Sequence, residues 1–144
     1  MSAANLPTLS LDEVTQAAEN PLATLNSLLD AYNDGHVTAN HVPLWIFARD
    51  PTGKVQGGVR GQTYWSWCKI DVLSVAEPYR RQGIGSRLLV KAEEIARARG
   101  CVGIHLDTTS FQAPGFYARH GYIEFGRIDG YPPGHSRIWF MKKF

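Results

Sequence analysis

Apolar positions along the chain fall into blocks with two different periods. Residues 44–48, Leu-Trp-Ile-Phe-Ala, read as a strand, Asp50-Pro51-Thr52-Gly53 as a turn, and residues 55–64 as the returning strand. Gly57, Gly58 and Gly61 weaken that return and predict a bulge or a close approach by a ligand. A central strand over 68–75 follows, and Pro78 forbids its continuation. From Ile84 the period lengthens: Ile84, Leu88, Ala92, Ile95 and Ala96 recur at helical spacing until Gly100. Glu93 and Arg97, four apart, are expected to pair on the surface of that helix. Residues 102–107 predict another strand, and 113–120 a short helix that tolerates Pro114 in its first turn. Residues 122–128 and 137–141 predict the last two strands. The loop joining them, from Asp129 to Ser136, is rich in turn formers and long for a plain hairpin. Near the N-terminus, Leu22, Leu25, Leu28, Leu29 and Tyr32 predict a helix with Asn20 as its cap and Pro21 in its first turn, its apolar stripe read as core. Residues 9–14 carry a poor strand signal. The order β-α-β-β-β-α-β-α-β-β predicts a mixed α/β fold with a sheet of six or seven strands.

Composition narrows the class. A chain of 144 residues is expected to form one domain, 1–144, with a real hydrophobic core. Hydrophobic residues at 44% and charged residues at 19% fit a soluble globular protein. A net charge of +2 is too small to imply a nucleic-acid partner, and no apolar run approaches the ~20 residues of a membrane helix. Residues 1–7 lack the basic and apolar regions of a signal peptide. Cys68 and Cys101 lie in apolar sequence without metal-ligand spacing, so buried free thiols in a reducing cytoplasm are expected, and no metal site.

The candidate chemistry lies between residues 73 and 87. A strand ends there, a basic glycine-containing turn follows, and a helix begins. Amides at a helix start, with the helix dipole, make a site for phosphate, and Gly83 and Gly85 let a ligand come close or take positive φ at little cost. Arg80, Arg81 and Arg87 add charge nearby, so the turn reads as a diphosphate cradle. It is not a P-loop, because no lysine follows in register. Nor is it a dinucleotide fingerprint, because Leu88 takes the place of the third glycine. The remaining pattern is R-x-x-G-x-G, carried by Arg80, Gly83 and Gly85. Preceded by Leu73-x-Val75 and followed by an amphipathic helix, it resembles the acyl-CoA-binding motif of the GNAT superfamily of N-acetyltransferases. A second segment, Ser110-Phe111-Gln112-Ala113-Pro114-Gly115-Phe116-Tyr117-Ala118-Arg119-His120-Gly121-Tyr122, is similar to that family's N-x-x-A-x-x-F-Y-x-K-x-G-F stretch. Here Ser110 replaces asparagine, Arg119 lysine and Tyr122 phenylalanine. The resemblance covers about residues 43–144 and includes small bacterial members.

The resemblance implies a twisted mixed sheet flanked by helices, with acetyl-CoA as cosubstrate between two splayed strands. Backbone groups of Leu73, Ser74 and Val75 would pair with the pantetheine arm as with an added strand. Amides from Arg81 through Gln82, Gly83, Ile84, Gly85 and Ser86 would hold the diphosphate, aided by Arg80, Arg81 and Arg119. Ser110 and Phe116 would lie along the carrier, the serine putting one pantetheine hydrogen bond in question. Tyr117 occupies the place of the family's general acid for the departing thiolate, and the Val75 N–H that of an oxyanion donor.

Other roles rest on the residues themselves. Strand alternation puts Asp71 on the face of Leu73 and Val75, where it takes the amine's proton, binds the ammonium or pairs with Lys69. His105 and Asp107 share a face of the next strand. Tyr64, Trp65 and Trp67 either fill core or line an acceptor pocket with His135 of the late loop. Asp30 and Asp34, with the loop through His36 and His41, would attract a cationic amine if they overhang it. The leading expectation is acetyl transfer from acetyl-CoA to a primary amine of a small molecule, by direct attack in a ternary complex. Lysine or N-terminal acetylation of a protein, and a CoA-binding module without turnover, are the alternatives. Neither a membrane nor a nucleic acid is expected as partner. Many members of the family pair, which leaves a homodimer open.

Overall fold

The computed structural model describes residues 6–16 and 19–144. They fall into two compact units, Met1–Thr38 and Ala39–Phe144. The first contains α1 (Glu19–Asp34), which starts one residue ahead of the expected cap, with Pro21 in its first turn where no N–H is missed. The amides of His36 and Val37 close the helix by turning back onto the Asn33 carbonyl. Within this unit the leucine stripe finds no apolar partner: Leu25 is 64% and Leu28 66% exposed. The weak strand expected over 9–14 is absent as well, and Leu9 and Leu11 lie in solvent. Asp12-Glu13 breaks the alternation after two leucines.

The second unit holds β1 (Val42–Arg49), β2 (Val55–Tyr64), β3 (Trp67–Val75), α2 (Ile84–Ala98), β4 (Gly103–Thr109), α3 (Pro114–Arg119), β5 (Ile123–Asp129) and β6 (Ser136–Lys143). Six strands form one sheet in the order β1-β2-β3-β4-β6-β5. Every neighbouring pair is antiparallel except β3 and β4, which α2 connects as a parallel crossover. The hairpin between β2 and β3 turns on Trp65 and Ser66, both at positive φ (48° and 67°), the conformation a two-residue turn needs to match strand twist. The side chain of Asn40 accepts the Trp65 amide and supports that unusual pair.

One face of the sheet carries the core. Leu44, Val59, Cys68, Ile70, Ile104, Leu106, Ile138 and Phe140 meet Leu88, Leu89, Ala92 and Ala96 of α2, with Tyr117 and Tyr122 completing the layer. Glu93 also turns inward, and this overturns the expected surface pair with Arg97. It accepts the Tyr122 hydroxyl at 3.0 Å and the Lys142 ammonium at 3.1 Å. A buried carboxylate needs such partners, and α2 packs so that Glu93 finds them across the core. The far end of α2 is fixed by Arg99, whose guanidinium donates to the Pro43 carbonyl at 3.0 Å and the Thr63 hydroxyl at 3.1 Å.

The glycines of β2 are there for backbone contact between strands. A Cβ on Gly58 would strike the Ile46 carbonyl, and one on Gly61 the Lys69 carbonyl. The expected bulge also lies here, but its extra residue is in the partner strand. Arg60 pairs with Val72 and Gly61 with Ile70, so Asp71 is left over.

Candidate active site

The bulge at Asp71 changes the phase of β3. Before it, Cys68 and Ile70 point into the core; after it, Leu73 and Val75 pack on the same core. Uniform alternation had placed Asp71 with Leu73 and Val75, and the extra residue overturns that. Asp71 instead lies 3.7 Å from Lys69, two residues back on the strand. Both side chains are about one-third exposed (32% and 39%), so this ion pair is weak.

The second consequence is a gap. β3 and β4 pair from Trp67–Gly103 through Ile70–Leu106 and no further. Beyond that point β3 follows β2 to Val75, and β4 follows β6 to Thr109. Residues 71–75 therefore present a strand edge with no neighbour on the β4 side. The cleft between them has a volume of about 840 Å³ and is lined by Asp71, Leu73, Ser74 and Val75 on one side and Leu106, Asp107 and Thr108 on the other. Its two ends are chemically different.

At one end stands the start of α2. Gly83 caps it at φ 78°, where a Cβ would be strained but would touch nothing, and Arg81 is also left-handed at φ 62°. The first intrahelical bond runs from the Arg87 amide to the Gly83 carbonyl. The amides of Ile84, Gly85 and Ser86 therefore have no acceptor within the helix, and the three residues line the cleft. Gly85 does not have positive φ; its missing side chain leaves room between Phe116 and Leu73. Arg80, Arg81 and Arg119 line the same end, and Arg80 Nε donates to the Val75 carbonyl at 2.9 Å, pinning the last residue of β3. Free amides, dipole and three guanidiniums fit a diphosphate, and the unpaired edge fits an extended amide-bearing arm. Gln82 is the exception. It does not line the cleft, and its side chain donates to the Pro78 carbonyl.

Tyr117 lines the cleft opposite β3, on α3. Its ring is buried against Phe116, Tyr122 and Phe140. Burial first, and the Asp107 carboxylate second, push its hydroxyl up to about 12. It therefore stays protonated throughout the neutral range, as a donor must. Asp107 is fixed by Arg137 Nε at 2.8 Å, and the same guanidinium lies over the Tyr131 ring at 4.9 Å. His105, half-buried on the same face of β4, is pushed below the usual imidazole value by burial and then by Lys69.

Several expected site residues lie elsewhere. Ser110 does not line the cleft; its Oγ accepts the Ser136 amide at 2.9 Å and ties the end of β4 to the start of β6. Gln112 lines the cleft instead, its side-chain oxygen accepting from the Thr109 amide and the Thr108 hydroxyl. Tyr64, Trp65 and Trp67 are neither core nor cleft. They line a separate shallow hollow of about 340 Å³ with His105, Phe125 and Met141, at the paired end of β3. His135 sits one ring away from the cleft, edge-on to Phe111 at 4.9 Å, and Phe111 itself is a lining residue that sequence reasoning missed. Thr108, near the end of β4, and Tyr79 and Gln112, in the turns after β3 and β4, also line the cleft, and no local pattern marks them. Among the described residues no cluster of ligands for a metal occurs.

A parallel pair that opens beside a glycine-capped helix, facing a buried tyrosine, defines a class of acyl-transfer proteins. The acetyltransferase (GNAT) family model matches residues 11–122, and the chain belongs to that family, whose enzymes take their acetyl group from acetyl-CoA. It is 44% identical over 105 residues to a blasticidin-S acetyltransferase of Streptomyces morookaense, a match covering 70% of this chain and 77% of that one. An acetyltransferase of Agrobacterium fabrum is 34% identical over 132 residues, 92% of each chain. The crystal structure of an acetyltransferase from Bacillus cereus superposes with a TM-score of 0.83 at 34% identity, covering 92% of this chain and 98% of that one.

Proposed function

We propose that residues 1–144 act as one catalytic domain that moves an acetyl group from acetyl-CoA to a primary amine of a small molecule. The observation that carries this is the unpaired edge of residues 71–75, which runs from the free amides of α2 to the neighbourhood of Tyr117. A carrier gripped at its diphosphate and threaded along that edge delivers its thioester to the tyrosine end of the cleft. The relative named for blasticidin-S, itself a small molecule, supports an acceptor of that size.

The reaction makes an amide and a thiol from an amine and a thioester, so a proton must leave nitrogen and one must reach sulfur. The Tyr117 hydroxyl, held protonated by burial, donates a hydrogen bond to the departing thiolate. An unpaired amide of the 71–75 edge, at its tyrosine end, stabilises the carbonyl oxygen as charge builds on it; Val75, pinned at the diphosphate end, is the less suited of them. Asp71, where the gap begins and only weakly held by Lys69, receives the ammonium and takes one of its protons, leaving a neutral amine to attack. The second nitrogen proton is lost to water as the amide forms, and the thiolate takes up a proton from the Tyr117 hydroxyl, which regains one from solvent. Direct attack within a ternary complex needs no covalent enzyme intermediate. Asp107 and the Phe111–His135 pair line or flank the acceptor side, which makes them better candidates for acceptor contact than Tyr64, Trp65 and Trp67. Two free, buried thiols, Cys68 and Cys101, support a reducing, cytoplasmic setting.

The test is an amine panel with acetyl-CoA, following free thiol release. Turnover of at least one small amine is expected; thiol release only with lysine-containing peptides would overturn the small-molecule acceptor, and CoA binding without release for any amine would leave a binding module.

A further inference from the structure

Ser86 stands in the first turn of α2 and lines the cleft. Its hydroxyl lies 2.9 Å from Nε2 of His120, the residue that caps α3 three positions after Tyr117. The His120 ring is held by packing on Phe116, with centroids 4.9 Å apart. A serine at a helix start ordinarily turns its hydroxyl onto its own backbone; here it reaches across to another helix. A hydroxyl has one proton and two lone pairs. When Nε2 carries hydrogen, Ser86 Oγ accepts from the ring, and the serine proton is left to point into the cleft beside the amides of Ile84 and Gly85. When Nε2 is bare, that proton is used on the ring.

We infer that His120 is a positioning residue for the donor's diphosphate: it donates Nε2–H to Ser86 Oγ and so turns the Ser86 proton toward a phosphate oxygen. The inference rests on the reading of the cleft as an acetyl-CoA site, and adds to it a residue that touches no carrier atom. It also explains how a residue on the tyrosine helix contributes to a grip formed by α2.

Calorimetric titration with CoA tests it. His120→Phe keeps the ring against Phe116 but removes the donor; the Ser86 hydroxyl keeps its proton but loses its orientation, and CoA binding is expected to weaken about threefold. Ser86→Ala, which removes the donor itself, is expected to weaken CoA about tenfold, the loss of one charge-assisted hydrogen bond, and the double variant no more than Ser86→Ala alone, because the histidine acts only through the serine. His120→Gln, whose amide N–H can still donate, should restore most of the affinity. Melting temperature distinguishes a packing defect from a positioning one, and should stay within a few degrees for His120→Phe. Three results would each overturn the inference: unchanged affinity in His120→Phe, multiplicative losses in the double variant, or a glutamine variant as weak as the phenylalanine one. A wild-type chain that binds no CoA overturns the underlying reading as well, whereas wild-type binding that ignores His120 overturns this inference alone.

Discussion

The two halves of β3 differ in what lies beside them. From Trp67 to Ile70 the strand is paired on both edges, and its amides and carbonyls are spent on the sheet. From Asp71 to Val75 one edge has lost its neighbour, although the strand continues without a break. One surplus residue separates a fully paired stretch from a half-open one. Around the paired half the side chains are core on one face, and the shallow aromatic hollow of Trp67 and His105 on the other. Around the open half stand the helix start, three arginines and Tyr117. The difference teaches that what the open half adds is an unpaired backbone edge, with charged and aromatic side chains gathered around it.

The strongest way to break the comparison is to disable the open half alone. Arg81→Glu combined with Gly83→Glu puts two carboxylates at the helix start and should weaken CoA binding by about a thousandfold. Nothing lies within 4 Å of a Cβ placed on Gly83, so the cost of entering that position is the strain of positive φ, about 1–2 kcal/mol, in the melting curve. Tyr117→Phe should lower kcat by about a hundredfold while CoA affinity, read by calorimetry, stays within about twofold. A folded-state value raised to about 12 keeps the hydroxyl protonated until the pH passes it, so Tyr117 should add no loss of rate between pH 7 and 9. The stability it contributes through that shift is complete below the unfolded tyrosine value near 10, and disappears as the pH rises through the folded one.

Next comes the opposite perturbation, on the core side. Glu93→Ala strands the Lys142 ammonium and the Tyr122 hydroxyl and should cost about 2 kcal/mol in denaturant melts, with CoA affinity unchanged. Asp71→Asn, at the boundary between the halves, should lower kcat/KM about tenfold at pH 7. That defect should shrink as the pH rises, because the amine then sheds its own proton. The smallest effect is expected on the paired half. Burial pushes the Cys68 thiol up to about 12, so a thiol reagent at pH 8 should leave it unlabelled in the native chain.

Local pattern was enough to find the elements and the cradle. Hydrophobic period separated β1 through β6 from α2, and Arg80, Gly83 and Gly85 marked the helix start that the structure places at one end of the cleft. Tyr117 was found by its register in a recognisable segment. Period reports which face of an element is apolar, however, and not what the face meets. The stripe of α1 marked a helix truly, yet within its own unit that face meets no apolar partner. Glu93 read as surface because its partners, Tyr122 and Lys142, are 29 and 49 residues away.

The sequence by itself determined where strands β1 to β6 and helices α1 to α3 run, which glycine-containing turn starts α2, and which tyrosine belongs to the segment after β4. Only the tertiary structure decided the face of Asp71, the removal of Ser110 to a strand-tying role, and the separation of the Tyr64–Trp65–Trp67 hollow from the cleft. The reason is physical. Backbone conformation is set by neighbours along the chain, whereas a bulge, a lost strand partner and a buried ion pair are set by residues that meet only once the sheet has formed.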